Sequence, residues 1–321
     1  MFHDIIRRVI VKEVIIAMLR YREVNNFYLI TVLAIITAGF IPLGVLFPSY
    51  AALFFISQLI TVLPSLFYLM KTKQNYVEAV GLRKVSLSNV ALLVFFAFCM
   101  SSVMTFINAL SKVFAKDLIT DTLTNTSKEN PFFISLICIA ILPAIFEESI
   151  YRGIFYQEYR KVNPLGAIFL SAFLFGLLHG NLNQFTYAFI MGVVFAFVIE
   201  ATDSILSTMI IHFVINGSSV VLLYAMQKFI PDYENYYLEA TKKIDLTFSY
   251  VVRMYGPGAL IFAVAGYFIF MRIAKNCGRW EHIKQLFKIK GKVPFQRLFT
   301  VPLVIAIVIL IFLIIGNEIA I

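Results

Sequence analysis

Charge is what this chain has least of. Asp, Glu, Lys and Arg make up 14% of its 321 residues against 60% hydrophobic ones, and the mean hydropathy is +0.87. That balance excludes an ordinary soluble domain and leaves a polytopic membrane protein. Cysteine is scarce too. Cys99, Cys138 and Cys277 share no metal or redox spacing, so no disulfide framework is expected and the three read as core filler. No internal repeat or low-complexity tract is visible, which speaks against an inverted-repeat transporter. There is no His-Glu-x-x-His helix of the usual zinc-protease kind. No small-residue cleavage site follows a short apolar core near Met1, so no cleavable signal peptide is expected.

What is there is a series of long apolar runs. A helix needs about 20 apolar residues to cross the hydrocarbon core. Such runs lie at 27–46, 50–70, 88–110, 132–157, 165–180, 184–201, 204–226, 251–272 and 299–317. They predict an all-α membrane helix bundle of about 8–9 transmembrane helices. The fifth and sixth runs are short and separated only by Asn181–Asn183, which predicts a tight helical hairpin. Residues 1–26 read as an amphipathic interfacial helix, with Asp4, Arg8 and Lys12 opposite Ile6, Ile10 and Ala17. Residues 27–321 then form a single membrane domain. Polar stretches at Ser111–Pro131 and Lys228–Thr247, and a turn at Phe47-Pro48-Ser49, fall on the outer side.

The net charge of +9 is unevenly spread. With the N-terminus cytoplasmic, residues 1–26, the 71–87 loop, Arg160-Lys161 and the 272–298 loop hold 19 of the 27 Lys and Arg, and the outer loops six. This matches the positive-inside rule. Basicity therefore sets topology and favours anionic lipid head groups; nucleic acid is not an expected partner.

Against this background, a few buried polar residues stand out. A charge at mid-bilayer costs roughly 2.5–3.5 kcal/mol on insertion scales, so intramembrane ionisable groups mark pathways or reaction sites. Glu147 and Glu148 lie inside an apolar stretch, with Arg152 four residues after the second. Glu148 and Arg152 share a helix face and can pair, while Glu147 points about 100° away. His179 follows Phe175 by four residues, and His212 precedes Asn216 by four. At 1.5 Å per residue, Glu147 and His179 both lie roughly 20 Å from the inner ends of their helices. A carboxylate and an imidazole at one depth can take a proton from water, and His212 with Asn216 can hold a developing oxyanion. Taken singly, each has a plainer role: a structural ion pair, a core histidine, interhelical glue. Small residues recur at four-residue spacing (Ala172, Gly176, Gly180; Ala188, Gly192, Ala196), which suits close helix packing. Glu200 and Asp203 read as a solvated inner turn, and His3 and His282 as interfacial.

Glu147-Glu148-Ser149-Ile150-Tyr151-Arg152, Phe175-Gly176-Leu177-Leu178-His179 and His212-Phe213-Val214-Ile215-Asn216 resemble the three motifs of the CPBP family. These are the CAAX proteases and bacteriocin-processing (Abi) intramembrane proteases, among them the type II CAAX prenyl endopeptidases. The resemblance covers about 131–226, and Gly81-Leu82-Arg83 resembles a looser upstream feature. It implies peptide-bond hydrolysis in the membrane. Glu147 with His179 would activate water, His212 with Asn216 would stabilise the oxyanion, and Glu148, Arg152 and Phe175 would support the site. The family is widely labelled metalloprotease. Zinc on Glu147, His179 and His212 and a metal-independent route both fit the residues, with metal-independent catalysis slightly favoured. The expected substrate is a membrane-associated or lipid-modified peptide, cut near the cytoplasmic side. A Phe-, Ile-, Lys- and Asn-rich composition suits a bacterial cell membrane. The competing readings are a non-catalytic membrane immunity or scaffold protein and a proton-coupled transporter.

Overall fold

The computed structural model describes residues 2–47, 49–118, 120–233, 235–237, 239 and 246–319, and no side chains for residues 2–18 and 121. Its architecture is an all-helical, polytopic bundle. The long helices are α1 (Phe2–Gly39), α2 (Tyr50–Thr72), α3 (Leu87–Ser111), α4 (Phe132–Arg160), α5 (Pro164–Leu177), α6 (Leu182–Thr202), α7 (Ile205–Phe229), α8 (Phe248–Asn276) and α9 (Val301–Ile319). Seven of them, all but α1 and the 14-residue α5, are long and apolar enough among the described residues to cross a membrane.

Two boundaries differ from expectation. The interfacial helix over 1–26 and the first span form one helix, Phe2–Gly39, because neither proline nor glycine interrupts the chain before Gly39. The chain therefore turns at Gly39–Pro42, and a short helix Leu43–Leu46 follows. The predicted turn at Phe47-Pro48-Ser49 includes Pro48, which lies outside the described residues, as do the side chains of the amphipathic face and much of Lys228–Thr247.

Side-chain bonds sort the helix ends into two faces. At one face, Arg160 pairs with Asp203 at 2.7 Å and with Glu200 at 3.4 Å, and Arg83 also reaches Asp203. Asn25 donates to the Leu298 carbonyl at 2.8 Å and accepts from the Tyr159 hydroxyl. The basic segments predicted to share one side thus meet. Glu200 is not solvated: it is buried, and Tyr156, Arg160, Arg279 and His282 converge on it. A lone buried carboxylate would be costly, and its cationic neighbours offset that cost. His282 is accordingly tied to the bundle and not merely interfacial. At the other face, Asn183 bonds Asn108 and Ser111, Glu318 accepts from the Lys116 and Leu182 amides, and Tyr224 donates to the Asn130 carbonyl. The polar Ser111–Pro131 stretch carries a helix of its own, Thr120–Glu129.

The α5–α6 hairpin is packed as the small-residue spacing predicts. A Cβ on Gly192 would sit 2.8 Å from the Ala172 Cβ, 2.9 Å from its Cα and 3.0 Å from the Arg152 Nη2. Such a group displaces backbone as well as a buried guanidinium. Gly192→Val is expected to cost about 1–3 kcal/mol of stability by overpacking. Ala172→Gly in the same chain should recover part of that loss. Thermal unfolding in detergent checks both; a Gly192→Val protein as stable as the parent would show that the hairpin is looser than described.

Candidate active site

Helix α4 carries the acids and is itself irregular. Its turns loosen to π spacing over Ile137–Ile141 and again over Ser149–Phe155, bracketing Glu147 and Glu148. Such bulges recur at functional sites because they re-aim side chains within an otherwise regular helix. Pro143 adds to the first: it has no N–H to offer the Ile139 carbonyl four residues back. Asn216 Nδ2 on α7 meets that carbonyl at 3.0 Å.

The ion pair forms as spacing predicts. Arg152 Nη1 donates to Glu148 Oε1 at 3.2 Å, and both side chains are fully buried. The guanidinium lies over the Phe175 ring at 4.1 Å and the Phe195 ring at 5.2 Å, so two helices clamp it through their aromatic faces. His212 Nδ1 bonds the same Glu148 oxygen at 3.0 Å. Since a carboxylate only accepts, Nδ1 carries the proton and Nε2 is turned outward. Nε2 lies 3.9 Å from Glu147 Oε2. Among the described residues, three buried atoms of the ion pair, Glu148 Oε2 and Arg152 Nε and Nη2, have no hydrogen-bond partner.

Glu147 is the accessible acid. It lines a cavity of about 330 Å³ together with His179, Tyr151, Phe175 and residues of α1 and α2. His179 Nδ1 lies 2.9 Å from the Phe175 carbonyl, which can only accept, so this imidazole too keeps Nε2 free. The Phe175 ring stands edge-on to it at 4.9 Å. Phe175 thus holds His179 by its carbonyl and Arg152 by its ring.

Of the seven predicted site residues, the structure joins Glu147 and His179 in one cavity wall and brings His212 beside Glu147. Glu148 and Arg152 lie behind them, and Phe175 lines the same cavity. Neither His212 nor Asn216 is among the cavity's lining residues, and the Asn216 amide is bound to the Ile139 carbonyl, joining α7 to α4. A zinc site on Glu147, His179 and His212 does not fit this geometry. No three His, Cys, Asp or Glu side chains among the described residues are gathered closely enough to hold an ion.

One residue escaped sequence reasoning. Gln58 on α2 is buried, lines the cavity and donates from Nε2 to Glu147 Oε1 at 3.2 Å, while its own carbonyl has no partner among the described residues. The available signal was thin: it is the one carboxamide in Tyr50–Thr72. Gln58→Leu removes a hydrogen bond to a charged group, worth about 1.5–3 kcal/mol, and frees the carboxylate to rotate. Turnover is expected to fall by about tenfold to a hundredfold with KM little changed. A steady-state assay of the variant checks this; unchanged turnover would leave Gln58 as packing alone.

Residues 129–218 match the family model described as type II CAAX prenyl endopeptidase Rce1-like. The similarity to the Rce1-like family is confined to this segment. The segment holds all of α4 and α5 and α6, together with the part of α7 that carries His212 and Asn216. At family level the match is to CAAX-type intramembrane proteases, which agrees with the motifs. Gln58 and the α1–α2 wall of the cavity lie outside the matched segment. No curated protein and no solved structure matches the chain.

Proposed function

We propose that the chain is an intramembrane endopeptidase in which Glu147 activates water against a peptide bond of a membrane-associated or lipid-modified peptide. The observation that carries this reading is the division of labour between adjacent carboxylates. Glu148 is bound by Arg152 and His212, whereas Glu147 is left facing the cavity beside His179. Glu147 accepts a proton from water, with His179 Nε2 accepting the water's other hydrogen bond and so orienting it. The hydroxide adds to the carbonyl carbon, and the π electrons move onto oxygen. His212, in its imidazolium form, donates from Nε2 to that oxyanion, backed by the Glu148 carboxylate. Collapse of the tetrahedral intermediate breaks the C–N bond, and the proton on Glu147 passes to the leaving amine. Arg152 neutralises Glu148 so that the pair of acids is not a pair of unscreened charges. Asn216 acts at one remove, by fixing α7 against the proline-loosened turn of α4. The integral multi-pass chain has its N-terminus on the cytoplasmic side of a bacterial membrane under this reading, as the charge asymmetry supports.

Purified protein incubated with quenched fluorescent membrane peptides, with and without chelator, tests the reading. Cleavage that survives the chelator is expected. Cleavage lost to chelator and restored by zinc would replace the Glu147 step with a metal-activated one. Absence of cleavage across a broad peptide set would favour a non-catalytic immunity or scaffold role.

A further inference from the structure

Among the described residues, the exposed part of the cavity wall lies away from the basic loops. Its exposed lining residues are Gly39 and Ser57, and Leu43 completes the rim. Gly39 ends α1, 14 residues beyond Asn25, which is bonded to the basic face. That distance is about 21 Å along the helix. Ser57 lies in the second turn of α2, whose start faces Glu129 through the Tyr50 amide. Towards the basic face the cavity is closed. Tyr151 and Phe175 are its buried lining residues on that side, Phe155 packs on Tyr151 at 5.7 Å, and Tyr28 packs on Phe155 at 5.6 Å. Beyond these rings stands the Glu200 ion cluster.

The surroundings of the mouth are apolar. From Val24 to Met70 the chain has no Asp, Glu, Lys or Arg, so the α1–α2 connection is as uncharged as the helices it joins. Phe40, Val45 and Leu46 on that connection are 85%, 81% and 59% exposed. Large apolar side chains so exposed on a connection without charge sit against lipid at the interface, since irregular backbone is not tolerated deeper in hydrocarbon. Other connections at the same face, such as Lys112–Asp117, are charged. The mouth therefore opens sideways towards lipid near the interface, in the leaflet remote from the basic loops.

We infer that the peptide enters the cavity laterally between α1 and α2, from the leaflet opposite the basic loops, so that the substrate is an apolar segment anchored in that leaflet. By the positive-inside rule this is the outer leaflet. This differs from the cytoplasmic-side cut that the motif resemblance suggested, and it rests on the proteolytic reading of Glu147.

The test uses sealed vesicles holding the full chain in one orientation. Orientation is read by impermeant maleimide at Phe114→Cys, on the face near the mouth, or Lys288→Cys, on the basic face, each in a background lacking the three native cysteines. A quenched peptide carrying an acyl anchor that does not cross the bilayer is added from outside. Cleavage is expected only where the Phe114 face is outward and should be lost in inverted vesicles. A photo-cross-linker on Ser57→Cys gives a second readout that needs no catalysis, and it works equally in Glu147→Gln protein. Capture of the peptide from the Phe114 side supports the inference even if nothing is cleaved, in which case only the proteolytic reading fails. Capture or cleavage from the Lys288 side, or no capture from either, overturns it.

Discussion

Glu147→Gln is expected to abolish peptide cleavage while leaving the protein folded. A positioned general base contributes about 10²–10⁴ in rate, and turnover should fall by that factor. The fold should tolerate the change because Glu147 is partly exposed to the cavity and its nearest ionisable contact, His212 Nε2 at 3.9 Å, is beyond hydrogen-bond distance. Glutamine keeps the shape and can still bond Gln58, so only the proton acceptor is lost. Single-turnover cleavage together with the unfolding temperature checks the two halves separately. A variant that cleaves at the parent rate would remove Glu147 from the chemistry. One that unfolds would show that the acid is structural.

Arg152→Met should act the other way round, through stability first. Arg152 and Glu148 are both fully buried, and His212 alone would remain beside the carboxylate. Breaking a buried pair by removing one partner costs about 3–5 kcal/mol, because the charge left behind is not hydrated and here keeps only the His212 hydrogen bond. The guanidinium also fills the gap between Phe175 and Phe195. A fall in unfolding temperature and loss of cleavage are expected together. Adding Glu148→Gln to Arg152→Met removes the stranded charge and should restore much of the stability but not the activity. A double mutant no more stable than Arg152→Met would mean that packing against the two rings, and not charge, is what Arg152 supplies.

Much of the site was legible because polar residues in apolar helices have few reasons to be there. Glu148 and Arg152 share a face by simple helical spacing, and the pair forms as that spacing requires. The small residues at Ala172 and Gly192 foretold a close α5–α6 contact, though not that Gly192 also makes room for Arg152. Gln58 was not legible, since a lone carboxamide carries no spacing that points to a partner on another helix. Asn216 was legible as a polar residue but not by its partner. Its partner, the Ile139 carbonyl, lies in the π-spaced turn of a different helix. Glu200 and Asp203 looked like a wet turn because the cations that cover them, Arg83, Arg160, Arg279 and His282, come from distant parts of the chain. The helix α1 ran on past its expected start because composition shifts near residue 26 while helix-forming tendency does not.

The most direct test of the account is the fate of solvent oxygen. Cleavage in ¹⁸O-labelled water, followed by mass spectrometry of the products, should place one heavy oxygen in the newly formed carboxyl end, and Glu147→Gln protein should form no labelled product. Cleavage without incorporated label, or label appearing at the parent rate in the Glu147→Gln protein, would contradict hydrolysis by a Glu147-activated water.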